Sequence, residues 1–532
     1  MNKMWLAAGL ALFAGVGAPA LQAQAFPTDD PVIQRMWQEG MEEGSQVFDL
    51  AQALLDSIGP RLMGSSAYDE AGSWLLSRYA SWGIEAEKEQ YGTWRGWERG
   101  YSHIDLVSPR ARTLSGMMLA WSPGTDGPVE ADVLMLPHFR SVAEFEAWLP
   151  RVNGRMVAIS LAEMTCREDQ SWLDHATQES FAELQSERDR VRGAWAQSMR
   201  AIGQDYVARL EAAGAVAVFT GRWSEGWGVD KIFSAPTTSI PALHLSCEDY
   251  GLLARLAERG QSPRVRLDLR AEFTGDRPAF NVVGRIQGTE LPNEYVLLSA
   301  HLDSWDGASG ATDNGTGTVM MAEAMRILKA AYPNPRRTIL VGHWGGEEQG
   351  LVGSSAFAED HPEVIDGMQA AFNQDNGTWR IDFIRMQGFI GAGAHFARWF
   401  SAIPNEITDN IELDAPSVPE GIALPGQGRS GRSPGGGSDH MTFICRPVPG
   451  FRLQSNYPDY RQYTWHTNLD TFDKVVFADL RNNATLAAML AYMASEDPER
   501  VPRDMRVLPT DPRTGQPAEW PGCRPARRSF GG

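Results

Sequence analysis

The sequence predicts an α/β fold in which a sheet is flanked by helices and interrupted by an inserted, mostly-β domain. An apolar run at residues 295–300, a Gly-rich loop, a helix-like segment at 318–331 and a second apolar run at 338–341 form a βαβ pattern. Segments with helical spacing of apolar residues precede this unit. Between residues 119 and 271, short apolar runs recur between Gly, Pro and Asp, as in a mostly-β domain.

The chain begins with a segment typical of a signal peptide. Lys3 supplies a positive charge, residues 5–16 are apolar, and residues 23–25 (Ala-Gln-Ala) fit a small-x-small cleavage site. An uncleaved anchor is the alternative, but the apolar run is short for a span of about 20 residues. We therefore expect a mature protein that begins at Phe26, is exported to the periplasm or the extracellular medium, and has no membrane span after cleavage.

Composition limits the possible partners. The 532 residues, 43% of them hydrophobic, suffice for two domains with cores. The formal net charge is -19, and there is no Lys/Arg-rich run. Because nucleic-acid binding relies on clustered positive charge, we expect no nucleic-acid partner.

The four cysteines suit an oxidising compartment. They allow three disulfide pairings, among which sequence alone does not choose. We expect Cys166–Cys247 within the middle domain and Cys445–Cys523 at the tail, with buried free thiols as the alternative.

The N-terminal part of the main domain, residues 26–118, is predicted to form helices followed by a strand. Residues 45–58 and 66–82 have apolar side chains at helical spacing and end at glycines. Residues 84–91 alternate like an edge strand. We expect these elements to be scaffold.

Residues 119–275 form the expected inserted domain. Its four short strands are predicted at 131–136, 154–160, 213–219 and 240–245. A polar, helix-favouring insertion between residues 166 and 212 is interpreted either as a solvated helical face or as a lid or homodimer contact. Three histidines of this domain are interpreted as packing or surface residues: His138, His175 and His244.

Chemistry-bearing side chains follow the strands of the βαβ unit. In open α/β sheets, chemistry gathers at the carboxyl ends of the strands. One imidazole and several carboxylates there form a ligand set suited to zinc. Two metals close together need an anionic bridge, which a carboxylate in a flexible loop can provide. The candidate residues are His301, Asp303, Asp313, Glu347 and Glu348.

These residues, with two later ones, carry a family resemblance. The string His301-Leu-Asp-Ser-Trp-Asp306, Asp313, the Glu347-Glu348 pair, Asp375 and His466 fill five stations in the family's order. The sequence resembles the di-zinc exopeptidases that include secreted bacterial aminopeptidases and plasma glutamate carboxypeptidase (the carboxypeptidase Q-like branch). The resemblance extends to residues 59–65, weakens in the middle and stops near residue 497. It implies a mixed central sheet, a protease-associated-like inserted domain and short peptide substrates.

The resemblance also implies roles for these residues. Two Zn²⁺ ions would be held, one by His301, Asp313 and Asp375, the other by Asp313, Glu348 and His466. Glu347 would act as general base and then acid. Asp303 would hold the ring of His301. A cis peptide is implied at Asp313-Asn314. The family commonly has Asp where Asn314 stands and small-Ala where Gly345-Gly346 stand, but neither position is a direct ligand.

Substrate-binding candidates follow Asp375. Residues 424–437 form a long Gly/Pro/Ser-rich loop, which leads into Asp439 and His440. Those two side chains either shape the pocket or support His466, or they are a helix cap and a surface ring. Tyr460 or Tyr463 is expected to steady the oxyanion. Residues 276–497 complete the catalytic domain, and 498–532 form an extended tail. Three other histidines are interpreted as structural: His343, His361 and His395.

The sequence thus predicts an exported di-zinc exopeptidase, with aminopeptidase and carboxypeptidase action both open. A glutaminyl cyclase, which has one zinc on a similar fold, and a non-catalytic receptor-like protein are the alternatives. Relatives of the last two kinds lose metal ligands, and here every ligand station is filled.

Overall fold

The computed structural model describes residues 29–42, 44–414, 418–420, 422, 437–511 and 514–530. The expected signal peptide and most of the Gly/Pro/Ser-rich loop, residues 424–436, lie outside these ranges, so both stay predictions.

The helices are α1 Pro31–Met41, α2 Val47–Gln52, α3 Ser66–Ser81, α4 Val142–Trp148, α5 Asp169–His175, α6 Gln178–Ile202, α7 Tyr206–Ala212, α8 Cys247–Glu258, α9 Thr316–Ala331, α10 Val352–Asp360, α11 Pro362–Gly367, α12 Ala392–Phe400, α13 Asn405–Thr408, α14 His440–Ile444 and α15 Phe477–Glu496. The strands are β1 Glu85–Ser108, β2 Arg112–Thr113, β3 Gly116–Met118, β4 Val129–Met135, β5 Met156–Ala158, β6 Ala217–Thr220, β7 Ala242–Leu245, β8 Arg264–Ile286, β9 Leu291–His301, β10 Arg337–Trp344, β11 Met368–Gln374, β12 Ile381–Arg385, β13 Glu412–Asp414 and β14 Gly450–Ser455.

One mixed sheet runs through the molecule. Its strand order is β13-β12-β14-β11-β9-β10-β8-β4-β5-β6-β7-β3, and β1 pairs along β8. The central strands β14, β11, β9 and β10 are parallel. β8 runs antiparallel to its neighbours, whereas β12 is antiparallel to β14 and parallel to β13. The expected α/β fold with a mixed, helix-flanked sheet is confirmed.

The predicted βαβ unit lies at the centre of this sheet. β9 and β10 pair in parallel, and α9 connects them through the main core. α9 is apolar on nearly all sides because it packs between the sheet and the helices α1, α2 and α15. β9, β10 and β11 end at His301, Trp344 and Gln374, and so their carboxyl ends share one edge.

The N-terminal helices match the sequence pattern. α2 continues as a helical segment to Ile58 and ends at Gly59, whose φ of 84° favours glycine. α3 begins where the Ser65 side chain accepts a hydrogen bond from the Tyr68 amide at 3.2 Å. The strand predicted at 84–91 forms the start of β1, which pairs with β8 over most of its length.

The inserted region contains the four predicted strands, but helices contribute more residues to it. β4, β5, β6 and β7 are neighbours in parallel pairs. Parallel strands need crossover connections, which are usually helices. The expected mostly-β character is therefore wrong: helices α4 to α8 lie between these strands and cover the sheet, with one apolar core on each face.

Both expected disulfides are present. Cys166 is bonded to Cys247 and Cys445 to Cys523, and the described residues contain no free cysteine. The second disulfide joins the C-terminal tail to the catalytic domain. Among the described helices, none has the length and apolarity to cross a membrane.

Candidate metal centre

The structure brings the predicted ligand residues together at the carboxyl edge of the central strands. Two groups of potential ligand atoms form, each with all atoms within 4.8 Å of one another: His301, Glu347 and Asp375, and Asp313, Glu348 and His466. The strands position them, since His301 ends β9, Asp375 follows β11 and the Glu pair follows β10.

Asp313 lies between the two groups. Its Oδ1 is 3.4 Å from His301 Nε2, and its Oδ2 is 3.2 Å from His466 Nε2. One carboxylate thus directs an oxygen to each imidazole, as the bridging interpretation requires. The Asp313-Asn314 peptide is cis, as the resemblance implied. The grouping differs from the expected set in one respect: Glu347 Oε also lies beside His301 and Asp375.

The remaining contacts complete each group. His301 Nε2 is 3.0 Å from Asp375 Oδ1, and His466 Nε2 is 2.9 Å from Glu348 Oε2. Although burial favours the neutral rings, these carboxylates raise the pKa of His301 well above its usual value and that of His466 to about 9. Each imidazole therefore faces concentrated negative charge.

Asp303 holds the centre in a different way from that expected. His301 Nδ1 donates to the main-chain carbonyl of Asp303 at 2.9 Å, whereas the Asp303 carboxylate is 3.6 Å from that nitrogen. The carboxylate accepts the amides of Glu347 and Glu348 instead, at 3.1 and 3.3 Å. The hydrogen bond to the ring thus comes from the Asp303 carbonyl, while the Asp303 carboxylate stays within ion-pair range of the ring.

The two adjacent glutamates retain their protons more readily than free carboxylates do. Burial, and then the charge of Asp375, raises the pKa of Glu347 well above its usual value. Burial raises the pKa of Glu348 to about 7, and its Oε1 is buried with no hydrogen-bond partner. Oxygen and imidazole donors at these separations suit zinc. The residues present therefore fit the zinc ions that the sequence implied.

Asp439 and His440, two of the predicted substrate-binding residues, have different surroundings. Asp439 is fully buried, and burial raises its pKa to about 7, with Asp375 and Asp303 adding repulsion. His440 lies 2.9 Å from Glu420 rather than in either ligand group. Although burial opposes ionisation, Arg452 and His440 lower the pKa of Glu420 to about 2.

The two tyrosines also differ. Tyr460 is buried, and burial, with Asp313 and Asp375 beside it, raises its pKa well above 10. The charges that act on Tyr463 are those of Glu168 and Asp459, away from the ligand groups. The structure thus places Tyr460 at the centre and does not bring Tyr463 there.

Asp470 orders the loop of Asp313, a contact that the sequence analysis missed. It accepts the amides of Thr312 and Asp313, at 2.8 and 3.0 Å. Burial raises the pKa of Asp470 to about 7. It lies in the string His-Thr-Asn-Leu-Asp after His466, so proximity in sequence was the available signal.

Arg61 is a second residue that the sequence analysis missed. Its buried guanidinium donates to four main-chain carbonyls, three of them in the loop between His301 and Asp313. The resemblance at residues 59–65 marked this segment, but nothing in the sequence indicated the contact.

The other histidines have partners elsewhere. His343 lies 2.5 Å from the Tyr79 hydroxyl, His244 lies 3.1 Å from Asp230, and His395 lies 2.9 Å from Asp497. His361 pairs with Glu89, and His138 packs on Trp195. Neither metal-ligand group found in the described residues includes any of these histidines, or His175.

Comparisons with known proteins agree with this geometry. Residues 281–491 match peptidase family M28. The chain is 26% identical to carboxypeptidase Q from Rattus norvegicus over 494 residues, which cover 89% of this chain and 94% of that protein. Two solved structures share the fold. A peptidase M28 precursor from Shewanella amazonensis has a TM-score of 0.63 at 22% identity, covering 89% and 98% of the two chains. A zinc aminopeptidase from Bacillus subtilis has a TM-score of 0.52 at 18% identity, covering 84% and 93%.

Fold, site and relatives together indicate a metallo-exopeptidase. Residues 281–491 carry the match to peptidase family M28, and the chain resembles carboxypeptidase Q over most of its length.

Proposed function

We propose that this protein is an exported di-zinc exopeptidase that hydrolyses terminal peptide bonds of short peptides or dipeptides. The observation that carries the proposal is Asp313, whose two oxygens face the two imidazoles at 3.4 and 3.2 Å. A site for one metal would not need a carboxylate in this position. The resemblance to carboxypeptidase Q supports small substrates, and the two disulfides support an exported protein.

His301, Asp313 and Asp375 would hold one zinc, and Asp313, Glu348 and His466 the other. Bound zinc would supply Lewis acidity and lower the pKa of the attacking water. The other steps belong to the chain's own side chains.

Glu347 has the position of the general base. Its carboxylate lies beside His301 and Asp375, and its main-chain amide donates a hydrogen bond to the Asp303 carboxylate. It would accept a proton from the attacking water and then donate it to the nitrogen of the leaving amine. The cations beside it would favour the ionised carboxylate that this first step needs.

Tyr460 and Asp439 are proposed to act on the substrate. The raised pKa of Tyr460 keeps its phenol neutral, so that it can donate a hydrogen bond to the developing oxyanion. The charge of Asp439 raises the pKa of Glu347, and we propose that Asp439 shapes the pocket beside that residue. His440, held by Glu420, would support that wall. Tyr463 has no role in this proposal.

Hydrolysis of a peptide panel tests the proposal. The panel contains dipeptides and tripeptides, some N-blocked and some C-amidated, and the enzyme is the zinc-loaded mature protein. Glu347→Gln is expected to lower kcat by about 10²- to 10⁴-fold without loss of zinc. The matched control is Glu290→Gln, since Glu290 is exposed at the surface.

The pattern of cleavage settles the direction of action. Cleavage of C-amidated but not N-blocked peptides identifies an aminopeptidase, and the reverse identifies a carboxypeptidase. No turnover with two bound zinc ions would refute the proposal. One bound zinc would favour a glutaminyl cyclase, and none a receptor-like protein.

A further inference from the structure

The inserted region touches the metal centre at the loop that carries His466. Here "the His466 loop" means residues 461–468, and "the junction segment" means residues 230–233 of the inserted region. Lys231 pairs with Thr467 in an antiparallel bridge, and the Ile232 amide donates to the His466 carbonyl at 2.8 Å. The two segments therefore lie side by side.

Further contacts tie the junction segment to the His466 loop at both ends. The amide of Asp230 donates to Asn468 Oδ1 at 2.9 Å, and the amide of Asn468 donates to the Asp230 carbonyl at 3.1 Å. At the other end, the Phe233 ring lies edge-on to the His466 ring, with centroids 5.0 Å apart. His466 is thus held from the side of the inserted region.

Lys231 is the polar centre of this junction. Its side chain is only 3% exposed. The ammonium donates to the carbonyls of Arg461 and Trp465 and lies 4.8 Å from the Trp465 ring. A buried ammonium is costly unless hydrogen bonds compensate it, so a lysine placed here binds specific acceptors rather than filling space.

The backbone at His466 needs such support. Its φ is 57°, which lies in the left-handed region that L-residues rarely adopt. A ligand in that conformation keeps its imidazole aimed at Asp313 and Glu348 only while neighbouring contacts fix it. The carbonyl of Trp465, directly before His466, is one of the two that Lys231 holds.

We propose that Lys231 and the junction segment are positioning elements of the metal position served by His466, so that the inserted region completes the metal centre. This inference rests on the proposed two-zinc function. It predicts that loss of the Lys231 donors weakens zinc at one position and leaves the other intact. A Lys231→Met variant separates donors from volume, since methionine fills the space but leaves both carbonyls without their donor.

Zinc binding, measured without activity, tests the inference. Metal-free protein is titrated with zinc against a chromogenic chelator, and bound zinc is counted after dialysis. Wild type is expected to bind two ions, and Lys231→Met to bind one of them at least tenfold more weakly. Lys231→Arg keeps donors and should restore binding. The control is Arg190→Met: its guanidinium is exposed on the inserted region and pairs only with Glu187 among the described ion pairs.

A His466→Ala background distinguishes positioning from general loss of structure. There the second position is already lost, so Lys231→Met should cause no further loss of zinc affinity. A decrease of equal size in both backgrounds would overturn the inference, as would two full-affinity ions in Lys231→Met. If wild type itself bound fewer than two ions, the proposed function would fail instead.

If Lys231→Met does not fold, Asn468→Ala tests the same junction, because it removes the acceptor of the Asp230 amide. It should weaken the same zinc position by several fold. Full affinity in Asn468→Ala would refute the inference.

Discussion

Replacement of Arg61 tests how the loop between His301 and Asp313 is held. The side chain is fully buried, and its guanidinium donates to the carbonyls of Leu302 at 2.8 Å, Ser309 at 2.7 Å and Gly310 at 2.9 Å. A fourth bond goes to Gly59 at 2.9 Å. An Arg61→Met substitution keeps much of the volume and removes all four donors.

The expected loss follows from the acceptors left behind. The Gly310 carbonyl also accepts the Gly315 amide, so three carbonyls lose the donor described here. Each unsatisfied buried acceptor costs about 1–3 kcal/mol. Removal of a buried charge offsets part of this, since burial lowers the pKa of Arg61 to about 10. The net loss should be about 2–4 kcal/mol.

Thermal unfolding of the metal-free protein measures this loss without interference from zinc. Arg61→Met should lower Tm by about 2–4 °C, since the unfolding entropy of a chain of this length is about 1 kcal/mol/K. The matched control is Arg285→Met, whose partner Glu85 is an exposed surface carboxylate. Such pairs are worth about 0.2–1 kcal/mol, so the control should shift Tm by about 1 °C at most. Equal shifts in the two variants would refute the reasoning.

Two further predictions concern the pH dependence of stability and the disulfide of the C-terminal tail. The raised pKa values, to about 7 for Asp439 and about 9 for His466, mean that the folded metal-free protein retains protons that the unfolded chain loses. The stability of the metal-free protein should therefore fall as pH rises from about 4 to 9. Protein dialysed against EDTA should have a lower Tm at pH 8.5 than at pH 5.5, and Asp439→Asn should reduce that difference. A higher Tm at pH 8.5 would contradict the prediction. Replacing both Cys445 and Cys523 by Ser should lower the free energy of unfolding by about 4 kcal/mol, because the disulfide closes a loop of 78 residues. Proteases should then cleave the tail before the catalytic domain. An unchanged Tm would contradict this prediction.

The sequence predicted the catalytic fold well because hydrophobic periodicity determines it. The run before His301 and the run before Glu347 became neighbouring parallel strands, and α9 filled the space between them. The inserted region was predicted less well. Its short strands were found, but their parallel pairing was not, and that pairing is what requires the helices between them.

The site was predictable where a residue type carries its own chemistry. A histidine or a carboxylate at a strand end indicates a ligand, as at His301 and the Glu pair. Asp375 and His466 were identified because they fill the later stations of the family that the sequence resembles. Lys231 was not, because a lysine in a polar segment of an acidic chain normally faces solvent. Its contact with the His466 loop depends on how the inserted region docks, which no local pattern encodes.

Arg61 and Lys231 point to a common physical requirement of the centre. Both are buried basic side chains close to Asp313, and burial lowers the pKa of Arg61 to about 10 and that of Lys231 to about 7. Their described hydrogen bonds go to carbonyls and not to the ligand carboxylates. A cation paired with those carboxylates would neutralise the negative charge that binds the metal ions. Carbonyl contacts instead stabilise the two ligand loops while leaving the carboxylate oxygens available. On this argument, a substitution that moved either cation onto Asp313 would lower zinc affinity even if the fold were unchanged.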